Sequence, residues 1–345
     1  MSMLPKIAIF LLVTGLGGSA SAFSQAGAMP QPAQVFRVQV ELAIVDAQVI
    51  NKKTKRPAAA MRAEDFQLYE NGILQPITSF SQDQLPLSVI FLFDLTDTVR
   101  PVLQPLASGA LQALQHLQPQ DEAAVMVYAA TVEMLQDFTT DRPLIVNAIK
   151  KASQIGRIME PAFFNEGIFQ AALHSERSTV PAARRVIVWL TDNVPTVPSE
   201  ELTQQIRRVP SIHTEKQALD ELFRSGAAVC TLLERSEISD FHIASRRRDA
   251  VWILDAKKYP PGDVYKYAEE TGGQVFETNG SKQVAQRLSE LIDQIRGRYA
   301  LGYRPATPFQ PASARHFYQL ELKVTPEAEQ REGKLIVRSR RGLYR

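Results

Sequence analysis

The sequence predicts an α/β protein with a doubly wound, Rossmann-like parallel sheet, and three observations support this fold class. Residues 87–93 are an apolar run without turn residues, which is typical of a strand that is buried on both faces. Residues 185–191 form a second run of this kind. Helical and strand patterns alternate between residues 86 and 300, which indicates a sheet covered by helices on both faces.

The elements of this α/β part follow in chain order from their apolar patterns. Short apolar runs predict strands, whereas apolar residues spaced by three or four predict helices. Gly272 and Gly273 end one helix, because glycine is the usual residue after a helix C-terminus. The predicted strands are residues 87–93, 123–128, 132–135, 185–191, 227–233 and 274–276, and the predicted helices are residues 102–117, 144–152, 167–173, 215–225, 264–270 and 284–299.

Two β segments flank the α/β part. Apolar and polar residues alternate over residues 36–44, and again over residues 318–324, which predicts strands with one buried face. The dipeptide Asn71-Gly72 predicts a β-hairpin, because both turn positions require positive φ. A short apolar strand is predicted at residues 335–337, after a polar turn.

The N-terminus has the pattern of a secretory signal peptide. Lys6 precedes an apolar run at residues 7–15, and Ala20-Ser21-Ala22 is a small-residue cleavage site. The run is shorter than the apolar stretch that a transmembrane helix normally needs. Cleavage after Ala22 predicts a secreted or periplasmic protein with no remaining membrane span. The alternative is an N-terminus that is retained as an anchor.

These patterns predict how the chain is divided. Neither flanking β segment is large enough to bury a core by itself, so we expect the two to pack together as one small β-sandwich. The predicted segments are a signal peptide (residues 1–22), a flexible leader (23–34), the N-terminal part of the sandwich (35–82), an inserted α/β domain (86–300) and the C-terminal part of the sandwich (303–345).

The composition argues against several classes of function. The chain has 345 residues and a net charge of +2, and its longest basic run is Arg246-Arg247-Arg248, so no nucleic-acid partner is expected. The HExxH, Walker A and GxSxG motifs are absent from the sequence. The single cysteine, Cys230, excludes an internal disulfide. We therefore do not expect an enzyme.

Side chains with oxygen donors follow both apolar strands. Asp94, Thr96 and Thr98 come directly after the first strand, and Asp192 follows the second. Ligands of open α/β sheets bind beyond the carboxyl ends of the strands, and hard divalent cations prefer oxygen ligands. The alternative is that Asp94 and the threonines only cap the next helix. A second strand that ends at an aspartate favours the metal site.

This arrangement resembles the metal-ion-dependent adhesion site of the von Willebrand factor A (VWA) domain. That site reads D-x-S-x-S after the first strand, with a Thr in a later loop and an Asp after the fourth strand. Asp94, Thr96 and Thr98 match the first motif with Thr in place of Ser, and Asp192 matches the last residue. The resemblance implies a VWA domain within residues 86–300.

The third loop of this site departs from the family. Alignment of Ile168 and Phe169 with an apolar pair of the family places Glu166 where Thr is expected, beside Asn165. The resemblance implies that Mg²⁺, or Mn²⁺ or Ca²⁺, bridges the protein to a carboxylate of a protein partner. If Glu166 binds the ion directly, it supplies the charge that the partner would supply, and the site keeps its metal but loses partner recruitment.

Nearly the whole mature chain resembles the VWFA-related domain proteins that are abundant in Acidobacteria. Four short signatures carry this resemblance: an E-D-F-x-x-x-E-x-G hairpin, an A-x-x-T-G-G segment, a Y-x-L-G-Y strand and an R-R-G-Y-like tail. The hairpin signature matches Glu64, Asp65, Phe66, Glu70 and Gly72, and the A-x-x-T-G-G segment matches Ala268, Thr271, Gly272 and Gly273. The Y-x-L-G-Y strand matches Tyr299, Leu301, Gly302 and Tyr303, and the tail matches Arg340, Arg341, Gly342 and Tyr344.

Three functions are compatible with the sequence. The first is an exported module that binds a protein partner through a divalent-metal site. The second is a degenerate VWA scaffold that has lost the metal and serves assembly through its β-sandwich. The third is a metal-dependent, phosphatase-like enzyme, but that class needs a second aspartate two residues after Asp94, where this chain has Thr96.

Overall fold

The computed structural model describes nine stretches of the chain, and everything below refers to them. They are residues 42–58, 60–82, 85–96, 99–155, 162–193, 213–234, 263–278, 283–306 and 316–345. The predicted signal peptide, the leader, most of the strand at residues 36–44, and Thr98 lie outside the described residues.

The described residues contain both the α/β part and the flanking strands. The strands are β1 (Ala43–Asn51), β2 (Phe66–Glu70), β3 (Ile73–Gln75), β4 (Ile77–Gln82), β5 (Leu87–Asp94), β6 (Glu122–Tyr128), β7 (Val132–Thr139), β8 (Arg184–Thr191), β9 (Ala228–Glu234), β10 (Gln274–Thr278), β11 (Tyr299–Tyr303), β12 (Phe317–Val324), β13 (Leu335–Ser339) and β14 (Gly342–Tyr344). The helices are α1 (Arg100–Leu114), α2 (Arg142–Gln154), α3 (Phe164–Ser175), α4 (Glu215–Ser225), α5 (Val264–Thr271), α6 (Val284–Arg296) and α7 (Pro326–Glu332).

The central sheet has six strands in the order β10-β9-β8-β5-β6-β7. The pairs from β10 to β6 are parallel, and only β7 runs antiparallel to its neighbour β6. Every residue of β5, β6 and β9 is buried, as their continuous apolar runs predict. The predicted doubly wound α/β fold is therefore confirmed.

Helices cover both faces of this sheet. Val89 and Phe91 of β5 share one apolar cluster with residues of α1, α2 and α6. Ile90 and Leu92 of the same strand pack on the other face with residues of α3, α4 and α5. Since successive side chains of a strand point to opposite faces, one apolar run supplies both cores. No helix of the described residues has the length and apolar content of a membrane span.

Three local features differ from the sequence predictions. The helix predicted to reach residue 299 ends at Arg296, and Tyr299 begins β11, where its ring enters the core of the flanking strands. The edge strand β7 runs on to Thr139. The turn predicted between β12 and β13 is helix α7, whose first turn is capped by the Thr325 hydroxyl that accepts from the Ala328 amide.

The flanking strands form two four-stranded sheets, β13-β1-β11-β4 and β14-β12-β2-β3. In both sheets, strands from the N-terminal and C-terminal segments are neighbours: β1 pairs with β13, and β12 pairs with β2. Strand β11, which begins before the predicted C-terminal segment, pairs with β1 and β4. One apolar cluster joins them and contains Val45, Leu68, Tyr299 and Leu322. The division of the chain into separate domains stays a prediction.

Candidate metal centre

Asp94 and Asp192 lie at the carboxyl edge of the central sheet, at the ends of two neighbouring strands. Strands β5 and β8 are paired in parallel with Phe93 opposite Leu190, so Asp94 lies beside Thr191 and Asp192 follows it. Both carboxylates are buried, with exposed fractions of 0% and 1%. The two charges act on each other, because the charge of Asp192 raises the pKa of Asp94. The structure thus brings together the two aspartates that the sequence singled out.

Four hydrogen bonds fix the Asp94 carboxylate. Its Oδ1 accepts from the amide of Thr96 at 2.9 Å and from the Thr96 hydroxyl at 2.7 Å. Its Oδ2 accepts from the hydroxyl of Tyr128 at 3.0 Å and from the hydroxyl of Thr191 at 2.9 Å. Two carboxylate oxygens offer about four acceptor positions, so these donors fill the group.

Burial and charge repulsion change the acidity of Asp94. Burial is the larger cause and the charge of Asp192 the second, and together they raise the pKa of Asp94 from 3.8 to about 7, although hydrogen bonds from Thr96 and Thr191 oppose the shift. Both causes disfavour the ionised form, since a buried charge loses its hydration and two like charges repel. A cation between these carboxylates would remove the repulsion and stabilise both in their ionised form.

Two buried aromatic residues of the central sheet, Tyr128 and Trp189, support the Asp94 carboxylate. Tyr128 ends β6 directly beside Asp94, and its hydroxyl receives a hydrogen bond from Trp189 Nε1 at 2.9 Å. Burial raises the pKa of Tyr128 well above its ordinary value, so its hydroxyl keeps the proton that it donates to Asp94. The ring lies against Gly167, where a Cβ atom would come within 3.0 Å of it. A larger residue at this position would therefore require the ring to move by a few tenths of an ångström.

Asn165 and Glu166 lie in the first turn of α3, on the neighbouring part of the same sheet edge, and both are buried. The Asn165 Oδ1 accepts from the Tyr267 hydroxyl at 2.8 Å. The carboxylate of Glu166 accepts from Gln170 at 2.8 Å and is 2.6 Å from Nδ1 of His213, whose amide also donates to it. Glu166 is thus bound to His213, and its role as a metal ligand stays a prediction.

Three further residues of this centre were not expected from the sequence: Tyr128, Thr191 and Trp189. A signal for two of them exists in the sequence, because Tyr128 ends the buried strand β6 and Thr191 directly precedes Asp192. The rule that strand ends meet at one edge applies to them as it does to Asp94. Trp189 gives no such signal, since a tryptophan inside a buried strand is ordinarily core.

The donors present at this edge fit a hard divalent cation. Asp192 and the hydroxyls of Thr96 and Thr191 are oxygen donors, which Mg²⁺, Mn²⁺ and Ca²⁺ prefer, while Asp94, whose acceptor positions are filled, adds its negative charge. Within the described stretches there is no group of three or more His, Cys, Asp or Glu side chains placed to hold a metal ion. The centre therefore relies on two carboxylates, with hydroxyls and amide oxygens for the remainder. Thr98, the third donor of the predicted motif, lies outside the described residues.

No protein-family model and no curated protein matches the chain. Similar solved structures include a von Willebrand factor type A protein from Catenulispora acidiphila, with 11% identity, 84% of this chain and 72% of that chain covered, and a TM-score of 0.43. The hypothetical protein BatB from Bacteroides thetaiotaomicron has 13% identity, with 61% and 98% covered and a TM-score of 0.39. Proximal thread matrix protein 1 from the mussel byssus, with a zinc-occupied MIDAS motif, has 11% identity, with 63% and 49% covered and a TM-score of 0.41. Because these TM-scores lie below 0.5, any metal or partner of this chain has to be inferred from its own residues.

Proposed function

We propose that this chain is a binding protein that holds a protein partner through a divalent cation at the carboxyl edge of its central sheet. The observation that carries the proposal is the buried pair Asp94 and Asp192, whose charges repel each other at the ends of adjacent strands. Repulsion of this kind costs stability unless a positive charge compensates it. A site that tolerates the cost is a candidate functional site.

The residues of the centre have separate roles in this proposal. Asp94 and Asp192 supply the negative charge, and the hydroxyls of Thr96 and Thr98 are the neutral oxygen donors. Asn165 or Glu166 closes the site. A bound Mg²⁺, or Mn²⁺ or Ca²⁺, would supply a coordination position that accepts a carboxylate of the partner. Tyr128 and Thr191 hold the Asp94 carboxylate in place through Oδ2.

A binding role agrees better with this geometry than catalysis. A phosphatase of the aspartyl-phosphate class would need the carboxylate of Asp94 as an accessible nucleophile. Asp94 has no exposed surface, and both of its oxygens accept two hydrogen bonds each. A carboxylate held in this way is suited to fixing charge, whereas attack on a phosphoryl group would require it to give up these bonds.

Thermal unfolding with and without a cation tests the proposal. A cation that binds only the folded chain stabilises it by about 2.7 kcal/mol when its concentration is a hundred times Kd. We expect Mg²⁺ or Mn²⁺ at millimolar concentration to raise the melting temperature relative to EDTA. The double variant Asp94→Ala, Asp192→Ala should lose this difference. The control Asp293→Ala, at an exposed carboxylate whose side-chain partner among the described residues is His116, should keep it.

Partner binding is tested on the same proteins. The immobilised wild-type chain should retain a protein in Mg²⁺ and release it in EDTA, and the double variant should retain none. Absence of any cation-dependent melting shift up to millimolar ion would overturn the metal proposal. A shift without cation-dependent retention of a partner would restrict the proposal to a structural metal.

A second candidate is a scaffold of the same fold without metal, and one observation favours it. The four hydrogen bonds to Asp94 satisfy its carboxylate without any ion. In addition, Glu166 is already bound to His213. If the metal test fails, we propose that the chain serves assembly through its flanking β strands.

We also propose that the protein is exported, with cleavage after Ala22. The proposal rests on the apolar run at residues 7–15 and the small-residue site Ala20-Ser21-Ala22. Mass spectrometry of the protein from a host with a secretory pathway should give a chain that begins at Phe23. A mass that includes residues 1–22 in the membrane fraction would indicate an anchored form instead.

A further inference from the structure

A groove of about 740 Å³ lies at the opposite side of the molecule from the candidate metal centre. Its walls come from α5, the start of β10, the middle of β12 and most of β13. Gln274 is the first residue of β10, so the groove is near the amino edge of the central sheet, whereas Asp94 and Asp192 are at the carboxyl edge. Its volume is in the range of ~300–1,000 Å³ that is usual for ligand pockets.

Two lining strands of this groove are sheet edges. Within the described part of the chain, β10 pairs only with β9, and β13 pairs only with β1. An edge strand presents backbone N–H and C=O groups that an extended peptide can pair with. The residues of β13 are all half-buried; Val337 packs on the apolar cluster of the flanking strands, and its neighbour Arg338 lines the groove. The groove therefore offers main-chain pairing and one cationic side chain to an extended segment.

The protein interior behind the groove carries excess positive charge. Asp46 is the carboxylate there, and Arg184 pairs with it at 3.0 Å. Burial lowers the pKa of both Arg298 and Arg340, and the charge of Asp46 opposes this shift. The charges of Arg184 and Arg340 lower the pKa of Arg298 further. Arg184 and Arg298 are 3% and 2% exposed. Three guanidinium groups thus act on one carboxylate, with Arg184 and Arg298 buried and with Asp46 and Arg340 partly exposed.

Arg338 is the arginine of β13 that lines the groove. Its side-chain partner among the described residues is the neutral amide of Gln48, whose Oε1 accepts from it at 3.3 Å. Among the described residues, no carboxylate pairs with it. Loss of hydration lowers the pKa of Arg338, so its charge is incompletely compensated where it lies. An anionic group in the groove would supply the missing compensation.

A second, independent feature of the same wall also requires a partner. Gln274 is 3% exposed, and its side-chain Nε2 has no hydrogen-bond acceptor among the described residues. A buried donor without an acceptor costs about 1–3 kcal/mol of stability, so such groups are rare unless a ligand satisfies them. Gln274 and Arg338 line the same groove, and an amide donor together with a guanidinium is a combination that binds a carboxylate.

The acidic side chains that line the groove are already occupied. Glu269 is bound by Arg341 at the rim, and Glu321 pairs with Lys323 at 2.9 Å. These pairs leave Arg338 as the lining charge without an opposite charge among the described residues. Residues 23–41, which are the leader and the segment after it, do not complement it, because they contain one Arg and one Glu and are neutral.

We propose that this groove binds an extended, acidic segment of a partner protein, with a carboxylate seated between Arg338 and Gln274 and the backbone paired to an edge strand. The carboxylate is either an Asp or Glu side chain or a chain terminus, since both present the same group. This site is separate from the metal centre, and it does not depend on the function proposed for that centre.

Binding of defined peptides tests the proposal. The full chain is screened against a random library of octapeptides with free carboxyl termini and against the same library with amidated termini. EDTA is present, so that no cation is bound at the metal centre. We expect the selected sequences to be rich in Asp and Glu, or to require the free terminus. Replacement of the essential carboxylate by an amide should weaken binding at least tenfold, as measured by fluorescence anisotropy.

Variants of the protein then locate the binding site. Arg338→Gln and Gln274→Leu should each weaken the selected peptide at least tenfold. The matched control Arg56→Gln, at an exposed arginine in the turn after β1, should bind it as wild type does. Melting temperatures show that each variant is folded, and the comparison of acid and amide peptides on the wild-type protein needs no variant. A library without any binder, or a binder that is indifferent to its carboxylate or to Arg338→Gln, would overturn the proposal.

Discussion

Tyr128 donates its hydroxyl proton to Oδ2 of Asp94 across 3.0 Å, from the neighbouring strand of the central sheet. The two residues are 34 positions apart in the sequence and directly opposite each other in the parallel register of β5 and β6. The same hydroxyl accepts from the indole of Trp189. The Asp94 carboxylate of the proposed site is therefore held by the buried pair Tyr128 and Trp189 as well as by Thr96 of its own loop.

Tyr128→Phe removes the hydroxyl that joins Asp94 to Trp189. The substitution leaves a buried donor, Trp189 Nε1, without this acceptor, and such a group costs about 1–3 kcal/mol. We expect the free energy of unfolding in urea to fall by that amount. The control Tyr265→Phe, at a residue that is 46% exposed, should change it by less than about 0.5 kcal/mol. Equal effects of the two substitutions would show that the buried network does not contribute to stability.

The pH dependence of the metal-free protein should reveal the raised pKa of Asp94. Its folded pKa is about 7, above its ordinary value of 3.8, so between these values the folded chain binds a proton that the unfolded chain does not. Stability in EDTA should therefore rise as pH falls from 8 to 5, by on the order of 1–3 kcal/mol. Asp94→Asn lacks this group, and the difference between the two proteins isolates its contribution. A difference that is flat, or that rises with pH, would contradict the assignment.

Glu166→Gln separates the two roles considered for Glu166. The substitution removes the charge that faces His213 Nδ1 at 2.6 Å, and we expect a loss of about 1–3 kcal/mol in the free energy of unfolding in EDTA. Because His213 and Gln170 hold the carboxylate, we expect the melting shift in Mg²⁺ to remain.

The exposed carboxylate of Glu64 provides the control for this measurement. Its ion pair with Arg62 spans 3.8 Å at the surface, so Glu64→Gln should change stability by less than about 0.5 kcal/mol. A Glu166→Gln protein that loses the Mg²⁺ shift would make Glu166 a metal ligand after all, in place of Asn165.

The flanking β segments should remain associated after the chain is cut between them. A protease site inserted within residues 307–315 would release residues 316–345 as a separate chain. We expect this fragment to co-elute with the remainder in gel filtration, because β12 pairs with β2, β13 pairs with β1, and Arg331 binds Asp65 at 2.7 Å. Separation should require denaturant. A fragment that elutes alone and folded under native conditions would contradict the single β-sandwich.

The sequence by itself determined the central sheet and the position of its two aspartates. An apolar run that is buried on both faces has few alternative structures, and β5 and β8 are such runs. Since parallel strands end at one edge, Asp94 and Asp192 had to lie near each other once the two strands were recognised. Helix α7 was missed because its signals, a Thr325 cap and an acidic first turn, are as common in polar turns as in helices.

Only the tertiary structure decided which groups contact those aspartates and where positive charge is buried. Glu166 meets His213 across 47 residues, and Asp46 meets Arg184 across the boundary between the flanking strands and the central sheet. Contacts of this kind leave no periodic pattern in the sequence, because they depend on how complete elements pack. The aspartate pair could therefore be predicted from local patterns, whereas the network around it and the groove beside Arg338 arise from packing of elements that are distant in the chain.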